Sequence, residues 1–213
     1  MSLLIKIHDQ LELQNDIKGT IDQKMLPQFI LDPTQHSPSQ NQMLIQNDCD
    51  EVFIGLQLDE KIIQLSQSPL DAINVSILLS HNMAVLIEEL SHLLYSHYHL
   101  ERSQPISQLE LEVQGEIDRF LSLYFLSRSI HQPLPVKLLH NFLFENPKFH
   151  DHIENNIVLK NRYQEAHRLA HLATKKLTPW LEKTPEKSLE LGQDLFRRNG
   201  HSKFHLIETL KAA

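Results

Sequence analysis

Glu88, Glu89 and His92 lie in the run Val85-Leu-Ile-Glu-Glu-Leu-Ser-His92, whose other residues, Ser91 apart, are apolar. Carboxylates and an imidazole set into a greasy helical pattern are expected to be paired or to ligate a metal, because an isolated buried charge is costly. His92 stands three and four residues after the two acids, one helical turn away and on their side of the helix. A longer stripe of potential ligands, His81, Glu88, His92 and His99, runs at intervals of 7, 4 and 7 residues.

Two further helical segments carry groups of the same chemistry. In the segment around Val113, Ile117, Phe120 and Tyr124, Glu116 shares the row of Leu109 and Leu123, so its carboxylate is expected to be buried and to need a cation, a donor or a metal. Glu112 and Asp118 lie nearby, with Asp118 expected on a more exposed face. Farther along, His167 and His171 are four apart at the edge of the stripe Leu159, Tyr163, Ala166, Ala170 and Ala173, a spacing that suits joint ligation.

If the three segments meet, His92, Glu116, His167 and His171 form an oxygen and nitrogen donor set for a divalent metal, with Zn²⁺ first and Fe²⁺ or Mn²⁺ as alternatives. Glu88 or Glu89 then serves as general base on a bound water, giving a metal-dependent hydrolytic enzyme. The opposite assignment makes Glu89 a ligand and leaves Glu88 exposed. A second reading is a non-catalytic interaction protein with a buried ion-pair network, in which His92, His167, Arg119 or Arg162 satisfy Glu89 and Glu116. A third is a carboxylate-bridged redox metalloprotein. Glu89-Leu-Ser-His92 resembles, over four residues, the Glu-x-x-His ligand motif of ferritin-like carboxylate proteins. That pattern requires a second such motif, whereas Glu165-Ala-His167 has a different spacing. His-Glu-x-x-His of zinc proteases is also absent, so no family membership follows. Ser91 and His92 diverge by about 100° on a helix and make no nucleophile and base pair, so Ser91 reads as a small packing residue.

The elements that must position these groups are well punctuated. A helix is expected over about 80–100, with apolar faces from Leu79, Met83, Leu86, Leu90, Leu93 and Leu94 and from Leu78 and Val85. Ser107-Gln-Leu-Glu110 is a capping box opening a second helix to about Ile130, antiparallel to the first because the connection is short. Gln132-Pro-Leu-Pro135 breaks the chain, Val136 to Phe144 forms a short helix, and Asn146-Pro147 breaks it again. A third long helix is expected over about 151–177, with short helices opening at Thr178-Pro179, Thr184-Pro185 and Ser202, and Gly200 as a stop. Asp59 caps a short helix to Leu65, and Ser68-Pro69 opens another. Met43–Gln46 and Val52–Leu58, around Asn47-Asp-Cys-Asp50, read as a hairpin. The fold class is therefore mainly α: a bundle-like core of three long helices plus short helices, with a small N-terminal β-hairpin. Residues 1–40 form a helical segment and a loop of weak periodicity, either packed on the core or extended as an arm, and residues 41–213 form the main domain.

Composition narrows the setting. The 213 residues hold only 5 Gly and are 41% hydrophobic, which favours helices and a sizeable core. The formal charge of −7, with scattered Lys and Arg, argues against nucleic acid as partner. No stretch resembles a signal peptide or a membrane span, and Cys49 stands alone, so a cytoplasmic location is expected and any metal must rest on His, Asp and Glu. Fourteen His would reverse the sign of the charge if all were protonated, which fits a pH-responsive binder as well as compositional drift. The local basic stretch Phe196 to His205 reads as a solvated helix end or a contact for an acidic partner.

Overall fold

A computed structural model describes residues 1–31, 41–48, 51–145 and 151–211. The expected loop at Asp32–Gln40, the hairpin tip at Cys49-Asp50 and the Asn146-Pro147 break lie outside the described residues. The chain is mainly helical. In order it forms α1 (Leu3–Asn15), β1 (Gln42–Asp48), β2 (Glu51–Gln57), α2 (Glu60–Ser66), α3 (Val75–Leu78), α4 (His81–Leu100), α5 (Gln108–Ser129), α6 (Val136–Phe144), α7 (Asp151–Glu154), α8 (Ile157–Lys183), α9 (Pro185–Arg197) and α10 (Gly200–Thr209).

Local chemistry explains most boundaries. The Ser80 side chain accepts from Met83 N and starts α4; Ser107 and Glu110 form a reciprocal capping box that starts α5. Pro185 occupies the first turn of α9, where its missing N–H has no partner to lose. The strands pair antiparallel from Gln42↔Gln57 to Asp48↔Glu51, and Leu56 and Leu58 anchor the hairpin in the core.

Four boundaries differ from expectation. Ser68-Pro69 opens only a 3₁₀ turn at Leu70–Ala72, and the next α-helix begins at Val75, where the Asn74 side chain accepts from Ile77 N. The third long helix is two: Asn156 accepts from Val158 N and Leu159 N and so resets the chain between α7 and α8. Pro179 does not end α8, because Leu177 and Leu181 on either side are both buried and Tyr124 Oη donates to Leu181 O at 2.7 Å. That anchoring outweighs the hydrogen bond that proline removes. Gly200 opens α10 rather than closing α9; its φ of 54° favours glycine, and its N–H donates to Glu110 Oε1.

The core is organised around α5, which packs against α1, α4, α6 and α8. Contacts Ser91–Asp118 and Glu88–Arg119 show that α4 runs antiparallel to α5. Contacts His167–Glu116 and Leu181–Tyr124 ascend together, so α8 runs parallel to α5, returned by the α6 and α7 segment. Ala166, Ala170 and Ala173 are fully buried, and these small side chains let α8 approach other helices closely. The first helix is no arm. Leu3, Ile7 and Leu11 are fully buried, and α1 packs against α4, α5 and α9. Among the described residues no helix is long and apolar enough to cross a membrane.

Candidate metal centre between the α4, α5 and α8 helices

Gly115 sits in the middle of α5 opposite His92 of α4. Glycine inside a helix costs about 0.5–1 kcal/mol relative to alanine, so its presence calls for a reason. A Cβ there would lie 2.8 Å from His92 Nε2 and 3.1 Å from Glu88 Cγ. The missing side chain is therefore the space into which both groups reach.

Around that space Glu88, His92 and Glu112 each offer a ligand atom, and these atoms all lie within 4.8 Å of one another. Helical geometry supplies the arrangement: Glu88 and His92 are one turn apart on α4, and Glu112 lies just before Gly115 on the facing helix. His92 Nε2 is buried without a hydrogen-bond partner among the described residues, and so is Glu89 Oε2, which lies 3.8 Å from the other ring nitrogen, Nδ1. That separation suits charge attraction and exceeds a hydrogen bond.

Ion pairs flank the trio. Arg119 Nη1 donates to Glu88 Oε2 at 2.9 Å, and Arg119 Nη2 is 3.5 Å from Glu116 Oε1. His167 Nδ1 is 3.0 Å from Glu116 Oε2, while its Nε2 is 3.2 Å from Phe144 O. Both ring nitrogens face acceptors, an arrangement satisfied when both carry protons. Arg162 Nη2 lies 3.8 Å from Glu112 Oε1, and Tyr163 hydrogen-bonds to Glu112.

The electrostatics follow. Burial alone would hold the His92 ring below the ordinary imidazole value, but Glu89, Glu112 and Glu88 raise it to about 9. Burial, helped by Glu88, pushes Glu112 up to about 7 against the pull of His92, Tyr163 and Arg162. For His167, burial works downward but Glu116 more than reverses it.

The expected ligands are thus only partly brought together. His92 is in the trio, and Glu88 joins it as a donor. Glu89 turns to the Nδ1 side of His92. Glu116 is buried as expected, yet it is committed to Arg119 and His167. His171 stacks on Phe144, with ring centroids 4.8 Å apart and planes 2° from parallel, and the His140 and His167 rings lie farther off at 5.6 and 6.5 Å. Burial and the nearby cations Lys175 and His167 hold His171 below the ordinary value. It takes no part in the trio. Glu112 was the residue that helical periodicity undervalued; the signal that marks it is Gly115, three positions on, in an otherwise strong helix.

Asp118 is a second correction. It is fully buried, not on an exposed face, because α1 covers that side of α5. It accepts from Gln14 Nε2 at 2.8 Å, Asn15 Nδ2 at 3.3 Å and Ser91 Oγ at 2.6 Å, so Ser91 is a hydrogen-bond donor and not mere packing. Nearby, the buried Lys203 of α10 donates to Gln114 Oε1 at 2.7 Å and lies 4.1 Å from the Tyr95 ring centroid. This junction ties α1, α4, α5 and α10 together on the far side of α5 from His167.

Compared with known protein families, curated proteins and solved structures, the chain matches none.

Proposed function

We propose that the chain is a metal-dependent hydrolytic enzyme that holds one divalent ion with Glu88, His92 and Glu112. The observation that carries this reading is the convergence of three ligand atoms within 4.8 Å over Gly115, with His92 Nε2 buried and lacking a hydrogen-bond partner among the described residues. One imidazole and two carboxylates suit Zn²⁺, Fe²⁺ or Mn²⁺, and Zn²⁺ binds a given donor set most tightly of the three. Glu89, 3.8 Å from Nδ1, attracts that side of the ring and leaves Nε2 as the free ligand atom, on the side where metal-bound histidines commonly keep a carboxylate. Three protein ligands leave a position for water, whose acidity a divalent ion increases. The ion must displace the His92 proton, so uptake releases acid. The acidic formal charge and the lone cysteine support a cytoplasmic protein that does not bind nucleic acid.

A second reading is favoured by a specific observation. Arg119 with Glu88, His167 with Glu116 and an imidazolium at His92 together satisfy the charges without an ion, as in an interaction protein whose polar core sets helix register. Elemental analysis of tag-free protein that has met no chelator separates the two. One equivalent of metal in wild type, absent from His92→Ala and Glu112→Gln but retained in His171→Ala, is the expected result. Wild type without stoichiometric metal overturns the enzyme reading.

A further inference from the structure

Each carboxylate of the trio already holds a guanidinium. Arg119 donates to Glu88 at 2.9 Å, and Arg162 stands 3.8 Å from Glu112. The Nε atoms of both arginines are buried without a hydrogen-bond partner among the described residues. Their side chains remain 17% and 22% exposed, against 18% for Glu88, 11% for His92 and 10% for Glu112, so Arg162 lies on the solvent rim of the trio, with Glu88 and Arg119 just inside it.

A divalent ion drawing on Glu88 and Glu112 withdraws part of the negative charge that balances these two cations. Among the described residues Arg119 then keeps only Glu116, itself shared with His167, and Arg162 keeps only neutral oxygen such as that of Gln108. Two guanidinium groups are then left beside a new double positive charge in a poorly solvated place, which is unfavourable until an anion arrives. Planar guanidinium forks pair best with oxyanions, and the open metal position takes an oxygen as well. A carboxylate brings one charge and two oxygens. A phosphate group brings nearly two charges and enough oxygens to meet the ion and both forks.

We propose that the metal-loaded site takes a phosphate monoester as substrate, its phosphoryl oxygens held by Arg119 and Arg162 beside the ion. The inference rests on the metal reading above. In the hydrolysis the water oxygen bonds to phosphorus and the ester P–O bond breaks. The ester oxygen leaves with that electron pair and takes a proton, giving an alcohol and inorganic phosphate.

The test titrates Mn²⁺ into the full chain, reading free Mn²⁺ by electron paramagnetic resonance, with and without inorganic phosphate and with acetate at matched ionic strength. Phosphate is expected to tighten Mn²⁺ binding about tenfold, a typical coupling, and Mn²⁺ to tighten phosphate binding by the same factor. Acetate is expected to do neither. Arg162→Gln, at the rim, is expected to bind Mn²⁺ while losing the coupling, and Arg162→Lys to recover part of it. Manganese binding that phosphate leaves unchanged, or that acetate enhances equally, overturns the phosphate assignment and leaves the metal reading standing. Wild type that binds no Mn²⁺ overturns both.

Discussion

Replacing Gly115 by alanine sets two physical terms against each other. Alanine favours the helix by about 0.5–1 kcal/mol, since glycine loses more backbone freedom on folding. Against this, the new Cβ would stand 2.8 Å from His92 Nε2, 3.1 Å from Glu88 Cγ and 3.3 Å from His92 Cδ2. Contacts that short force His92 to move, and His92 is only 9% exposed, so its ring has little room. Forcing an extra methyl group into a packed site costs about 1–3 kcal/mol. The net expectation is a loss of about 0–2.5 kcal/mol, measured by urea denaturation. Metal affinity should fall further in proportion, by about 10–100-fold, the usual penalty for misplacing a ligand through its supporting contacts. Calorimetric titration of Zn²⁺ into both proteins reads that second number. A Gly115→Ala protein that is about 1 kcal/mol more stable than wild type and binds Zn²⁺ equally well would refute the argument that the glycine exists to admit His92.

Asp118→Ala strands three buried donors, Gln14, Asn15 and Ser91, and should cost about 3–5 kcal/mol in urea denaturation; a loss under about 1 kcal/mol would show that the junction is not a structural hub. Burial lowers Lys203 from 10.5 to about 7, so below pH 7 both folded and unfolded chains carry its proton and the full penalty of burying the charge is felt. Between about pH 7 and 10.5 the unfolded chain binds more protons, and stability should rise with pH in that window. Lys203→Met should flatten that slope in melts across the window, and an unchanged slope would exclude Lys203 as its source. His171→Ala loses its stack on Phe144 and should cost about 1 kcal/mol while leaving Zn²⁺ binding as in wild type; loss of binding would bring His171 back as a ligand.

Much of the scaffold is legible in the chain because its signals are local. Ser80, the Ser107 and Glu110 box and Pro185 act on backbone groups within one turn, and each marks its helix start where expected. Where the reading failed, distant residues intervened. The interior Pro179 is tolerated because Tyr124, 57 positions away in sequence, holds Leu181. Asp118 looks exposed on the periodicity of its own helix and is buried by α1, which comes from the start of the chain.

The candidate centre divides in the same way. Sequence alone singled out Glu88, Glu89 and His92, since charges amid apolar helical residues demand partners wherever the helix packs. It also determined that Glu116 is buried, and the structure agrees. Which acid faces His92 was decided only in three dimensions. The antiparallel register of α4 on α5 brings Glu112 and Gly115 to His92, while the parallel run of α8 brings His167 to Glu116 and leaves His171 against Phe144. Caps and periodicity depend on neighbours one turn away; convergence at a site depends on the slide and rotation of whole helices, which are set by close packing at positions such as Gly115 and Ala170.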